Sequence, residues 1–209
     1  MPVLNLKIKE NIFLVIEASS FQLFYSKFII PDYAILLNIT NDHLDWHGSL
    51  QNYIKSKLNL FRFQKMNNFA LVNEKYKKIF KNRKFKSKLV PIKHEEYKKL
   101  KFKIKNPYLR SNANDENMSF AYTLSQKLGV NKKAFVESMK SFSGLPHRNE
   151  IFLKVKNVTF INDSKATSFQ ATKSALSSCK NIFWILGGLP KEKDKLKFGS
   201  LKKNIIKSY

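Results

Sequence analysis

The sequence predicts an α/β protein, with a parallel sheet and helices over residues 1–143 and a second, Rossmann-like α/β domain over 144–209. Three observations predict it. Short apolar runs alternate with segments of helical spacing, the order that builds parallel strands joined by helices. Polar clusters stand at the ends of several of those runs, where ligands gather in such sheets. The stretch "SGLPHRNE" (143–150) breaks the pattern with Gly144 and Pro146, and a new set of strands follows it.

Taken in order, Ile12–Ile16 reads as a buried strand ending in Glu17, and "YAILLNI" (33–39) as a second, ending in "TNDHLDWHG". Tyr53, Ile54, Leu58 and Phe61 recur at helical spacing between Gln51 and Phe63. A third strand follows at Phe69–Val72. From Tyr76 to Lys105 the text is Lys-rich, with short β-like pieces such as "KLVPI". Glu116–Leu128 and Asn131–Phe142 predict two helices. Beyond the break, strands are expected near Ile151–Lys156 and Val158–Asn162, a helix over Phe169–Ser178, and a strand in "NIFWILGG" (181–188). The tail is expected to be helical. Covering both faces of a parallel sheet takes more strands than these, so the second domain is expected to be cut short.

Composition narrows the classes. The 209 residues are 43% apolar and include 18 Phe, ample for a buried core. A single cysteine, Cys179, excludes an internal disulfide and any multi-cysteine metal site, and fits a reducing cytoplasm. No apolar run reaches the roughly 18–20 residues that span a bilayer, and the charged N-terminus does not resemble a secretion signal. A formal charge of +24 invites a nucleic-acid partner. Against that, only four of the 39 basic residues are Arg (Arg62, Arg83, Arg110 and Arg148), the side chain that base-edge and bidentate phosphate recognition favours. The Lys is spread over the whole chain beside Asn, Ile and Phe, as an A/T-rich coding sequence would produce. A solvated surface is the expectation, with no specific nucleic acid and no membrane partner.

Four polar clusters carry candidate chemistry: 17–20, 38–47, 162–167 and 187–188. Asp42, His43, Asp45 and His47 fall within six positions, either a loop for a hard divalent cation or a solvated loop with a helix cap from Asn41 or Asp42. Glu17 has the same two readings. Taken alone, Lys57 is one solvated lysine among many. His147 and Arg148 either solvate a hinge or clamp phosphate there. Gly187 and Gly188 allow a tight turn, and Lys191 beyond them reads as exposed.

"EASSFQL" (17–23), "NITNDHLDWH" (38–47), "YIKSK" (53–57), "LPHRNE" (145–150), "INDSKAT" (161–167) and "LGGLPKEKD" (186–194) resemble, in order and spacing, the motifs of the Mur ligases. "SSFQL" and "DSKAT" are similar to the D-glutamate-adding branch in particular and argue against a folate polyglutamate ligase. The resemblance implies a monomeric cytoplasmic enzyme of peptidoglycan synthesis. It would use ATP and Mg2+ to join D-glutamate to UDP-N-acetylmuramoyl-L-alanine through an acyl phosphate. It further implies Glu17 and His43 as magnesium ligands, with Lys57 carbamylated to bridge a second ion and His43, Lys57 and Lys165 at the reacting groups. Arg148 would contact the ATP phosphates, Asp163 the ribose and Asn114 the adenine. Ser19, Lys165, Thr167 and Lys191 would meet the substrates.

Residues 1–143 then correspond to part of the family's central ATP-binding domain and 144–209 to part of its C-terminal domain. Two departures stand out. "SNANDEN" (111–117) has Ser111 and Ala113 where the family writes Gly and His, and Ser168 stands where Asn follows "SKAT". No Gly-rich loop ending in Gly-Lys-Ser/Thr occurs, although phosphoryl transfer of this class depends on that backbone cradle. An internal fragment is therefore expected, one that releases no phosphate from ATP in response to D-glutamate when purified alone.

Overall fold

A computed structural model describes residues 12–40, 43–106, 108–110, 114–189 and 198–209. The chain divides into two compact units, residues 1–91 and 92–209. The boundary at 144 drawn from the sequence remains a proposal about domain organisation.

The first unit is built on a three-stranded sheet in the order β1-β2-β3, with β1 at Tyr33–Leu36, β2 at Phe69–Asn73 and β3 at Lys88–Ile92. β1 and β2 are parallel, in the register Tyr33↔Phe69 to Leu36↔Val72. β2 is the central strand, and Ala70, Leu71 and Val72 are fully buried, as an apolar run covered on both faces requires. Gln64 pins the entry to the sheet: its buried amide donates to the carbonyls of Pro31 (2.9 Å) and Phe69 (3.0 Å). Helix α1 is Ser20–Tyr25, α2 Leu44–His47, α3 Leu50–Leu58 and α4 Lys77–Asn82. Tyr53 and Leu58 of α3 are buried, and a 3-10 turn over Asn59–Phe61 extends the helix and buries Phe61, the face that the apolar spacing predicts. Leu58 and Phe61 pack with Ala34, Leu36, Ala70, Val72 and Phe80 into one core cluster.

The second unit opens with α5 (Glu95–Lys101), α6 (Asp115–Lys127) and α7 (Lys132–Ser138). They share a core of Tyr97, Leu100, Ile104, Leu109, Met118, Tyr122 and Phe135. Strands β4 (Glu150–Val155) and β5 (Val158–Asn162) form an antiparallel hairpin. Then come α8 (Phe169–Ser178), β6 (Ile182–Trp184) and β7 (Ile205–Ser208), with β6 and β7 parallel.

Two expectations are corrected. Ile12–Ile16 has no strand ladder and is exposed, Val15 at 91% and Phe13 at 79%. Its β-favouring composition cannot make a strand without a neighbour to pair its backbone groups. In the described part of the tail, 198–209, there is no α-helix. Gly199–Asn204 is a 3-10 turn that feeds β7, whose hydrogen-bond partners lie more than 20 residues away on β6.

Candidate functional site

Three stretches that are separate in sequence converge in the first unit. Ser19 is the N-cap of α1. Its hydroxyl accepts from the Gln22 N–H (3.3 Å), and the Gln22 side chain accepts from the Ser19 N–H (2.8 Å), a reciprocal capping box. The "SSFQ" pattern therefore has a local structural cause besides any ligand. Beyond β1, the Tyr76 hydroxyl accepts from the Ile39 N–H (2.7 Å) and donates to its carbonyl (3.2 Å). That fixes the strand's exit. His43 then takes the left-handed conformation (φ 56°), and its ring meets Phe21 edge-on at 4.8 Å.

Helix α3 is started by Ser49, whose hydroxyl accepts from the Asn52 N–H (3.2 Å), and it carries Lys57 near its end. The Lys57 ammonium donates to the Asn38 carbonyl (2.8 Å) and lies 4.8 Å over the Tyr53 ring. Ser19, Ser20, Asn38, Thr40, His43, Tyr53 and Lys57 line one open cleft of about 230 Å3. Glu17 is exposed at the end of the irregular stretch that enters α1.

His47 leaves the candidate metal cluster. It is buried, 5% exposed, with Nε2 2.9 Å from the Ser20 hydroxyl and Nδ1 3.5 Å from that of Ser56. Burial lowers its pKa, the His43 charge adds to that, and Asp45 works against it. Among the described residues, no three His, Cys, Asp or Glu side chains gather to hold a metal ion. Asn41 and Asp42 lie outside them. The cleft's hydroxyl and carbonyl oxygens suit Mg2+, His43 offers an imidazole nitrogen that suits it less well, and the Lys57 ammonium does not fit a cation. The fit to a divalent cation depends on converting that ammonium to a carbamate, which replaces a cation with two anionic-site oxygens.

A second cluster forms in the second unit, where "LPHRNE" folds onto the loop after β5. His147 and Asn149 are both left-handed (φ 62° and 49°). The Asn149 N–H donates to the Asp163 carboxylate (2.9 Å), the Lys165 N–H to the His147 carbonyl (3.0 Å), and the Asn162 amide lies 2.8 Å from His147 Nδ1. Burial raises the Asp163 pKa, while the Asn149 N–H and the Arg148 charge pull it down. Arg148, Lys165 and Thr167 are exposed beside this carboxylate. Ser168 caps α8, its hydroxyl accepting from the Ala171 N–H (3.2 Å). Ser and Asn cap helices about equally well, so the departure at this position keeps the helix start. Asn114 donates to the Tyr108 carbonyl (2.7 Å) at the start of α6. Ser111, Ala113 and Lys191 lie outside the described residues.

Sequence reasoning did not single out Tyr76, Tyr53 or the Asn38 carbonyl. A main-chain acceptor leaves no trace in the text, Tyr76 gave only local composition, and Tyr53 entered through its apolar spacing and as the first residue of "YIKSK" with no role of its own.

The chain matches the Mur ligase middle domain over residues 3–130. A UDP-N-acetylmuramoylalanine–D-glutamate ligase of a Wolbachia strain from Brugia malayi is 38% identical over 178 residues, 77% of this chain and 35% of the relative. The enzyme of the same name from Pseudothermotoga lettingae is 35% identical over 92% of this chain and 46% of its own length. That from Rickettsia bellii is 32% identical over 92% and 48%. The chain thus spans less than half the length of these relatives. The crystal structure of MurF ligase from Thermotoga maritima in complex with ADP superposes with a TM-score of 0.57 at 16% identity, covering 86% of this chain and 53% of that one. That likeness establishes the fold.

Proposed function

Because the chain belongs to the Mur ligase family, through the middle domain matched over residues 3–130, we propose that its two clusters serve the ATP-dependent joining of D-glutamate to UDP-N-acetylmuramoyl-L-alanine in the cytoplasm. The observation that carries this reading is the first-unit cleft. Ser19, His43 and Lys57 come from three stretches of sequence and line one cavity.

The reaction transfers the γ-phosphoryl group of ATP to the muramoyl-alanine carboxylate, giving an acyl phosphate and ADP. The D-glutamate amine then attacks the acyl carbon, and phosphate leaves with the C–O bond as the amide forms. Lys57 becomes a carbamate when its neutral amine adds to CO2 and gives up a proton to solvent. With His43 and Glu17 that carbamate would hold Mg2+, which would supply positive charge for the transferring phosphoryl oxygens. His43 is aimed by its left-handed backbone and held by Phe21, and Tyr76 fixes the β1 exit from which Asn38 faces Lys57. Asp163 is partly desolvated, poised to accept from the ribose hydroxyls, and Arg148 beside it offers a bidentate phosphate contact. Lys165 and Thr167 present a cation and a hydroxyl to the carboxylates of the amino-acid substrate, and Asn114 the adenine contact.

Mn2+ in bicarbonate buffer tests the reading, because its unpaired electrons broaden nearby resonances. The expected result is selective broadening of Asn38, His43 and Lys57 signals that Lys57→Arg abolishes. Broadening that is absent from the cleft, or unchanged in Lys57→Arg, would overturn it.

A further inference from the structure

We infer that His47 is a positioning residue for the first-unit cleft, a clamp that holds the start of α1 against α3 and so sets Ser19 and Lys57 on one cavity. The inference rests on the reading of Lys57 given above and adds a residue to it.

The geometry is that of a two-sided bolt. Ser56 spends its hydroxyl proton on the Asn52 carbonyl (2.8 Å), so toward His47 its oxygen accepts. Nδ1 therefore carries the ring proton and donates to Ser56 across a long 3.5 Å, and Nε2 accepts from the Ser20 hydroxyl at 2.9 Å. Both serines are buried. Each is the chain neighbour of a cleft residue: Ser20 follows Ser19, and Ser56 precedes Lys57. The Asn52 side chain closes the loop by donating to the His47 carbonyl (3.0 Å). Phe21 stacks on the imidazole at 5.5 Å and 21°, while Trp46 and Tyr53 meet it edge-on, so the ring has little room to turn. The far end of α1 has its own tether, the Asn59 amide donating to the Leu23 carbonyl (3.1 Å). Loss of the His47 bonds is therefore a loosening of the first turn of α1, the turn that carries Ser19, with the helix still attached at its other end.

Two variants separate clamping from bulk stability. His47→Leu removes both hydrogen bonds and puts an apolar side chain of similar size in the ring's place. His47→Gln places an amide oxygen near the Nε2 position, where it can accept from Ser20. Amide exchange of Gln22 and Leu23, whose N–H groups bond to Ser19, is compared with Phe69, which bonds to Asp32 at the sheet. The expected result is exchange about five- to tenfold faster at Gln22 and Leu23 in His47→Leu, with Phe69 unchanged and His47→Gln near the parent. In 13C-bicarbonate, the Lys57 carbamate fraction should fall with His47→Leu and recover in His47→Gln. Equal exchange in parent and His47→Leu overturns the clamp, as does a parallel rise at all three amides. If the parent protein shows no Lys57 carbamate, the reading of Lys57 fails, and the exchange rates alone still decide whether His47 clamps α1.

Discussion

At His47, burial holds the imidazole pKa below its usual 6.5, with the His43 charge lowering it further and Asp45 offsetting part of the shift. The folded chain keeps the neutral ring, so the unfolded chain binds more protons between the depressed pKa and about 6.5. The stabilisation from His47 is complete above about pH 6.5 and is lost as the pH falls from there through the depressed value. Urea midpoints of the parent should therefore drop more steeply below pH 6.5 than those of His47→Gln; parallel slopes would contradict the assignment. Asp163 shifts the other way for a related reason. Its raised pKa means that, without ligand, the carboxylate costs stability as pH rises from about 3.8 through the raised value. Hydroxyl donors from a ribose would favour the charged form. A carboxyl 13C titration should show the Asp163 pKa falling when ADP is added, and an unchanged or higher value would remove it from the nucleotide contact. Both side chains also mark how far sequence alone reaches. The motif text picked out Asp163, whereas His47 sat in a metal-like spacing. Only its burial between Ser20 and Ser56 separates it from His43, four residues earlier.

Elements with a local cause were legible. Helix α8 follows the predicted Phe169–Ser178, because Ser168 is a good N-cap and the apolar spacing beyond it is helical. β2, β4 and β5 were legible as short β-rich runs, whereas the antiparallel pairing of β4 with β5 was not read from the sequence. Elements that depend on a distant neighbour were not. Ile12–Ile16 has strand composition and no ladder, and the four residues of β7 become a strand only by pairing with β6. The short helices α4 and α5 lay hidden in Lys-rich text, where Phe80, Tyr97 and Leu100 supply the buried face. The cap at Ser168 gives a test at this scale. Ser168→Ala should destabilise α8 by about 1 kcal/mol and Ser168→Asn should be near neutral. The readout is amide exchange at Ala171 and Thr172, which bond to the Ser168 hydroxyl and carbonyl. Equal protection in all three proteins would show that the cap does not support the helix.

For the molecule as a whole, two units each gather one cluster of candidate site residues, and each cluster sits where the fold ends a strand. In the first, the exit of β1 faces the end of α3 across the cleft; in the second, the exit of β5 folds under the "LPHRNE" loop. In the reading proposed above, both would place charge around phosphates, where it does most of the chemistry of phosphoryl transfer. The net charge of +24 adds an unspecific attraction to anions, which salt screens. It does not explain why a histidine, a lysine and a capped serine share one cavity. The proposed carbamate at Lys57 would explain it, since that modification would turn the cleft's cation into a metal-binding anion. The most direct measurement is 13C NMR of the 209-residue protein in 13C-labelled bicarbonate, with Lys57→Arg as the control. The account predicts one carbamate resonance that Lys57→Arg abolishes and Mg2+ strengthens. A spectrum with no carbamate at Lys57, with or without Mg2+, would contradict it.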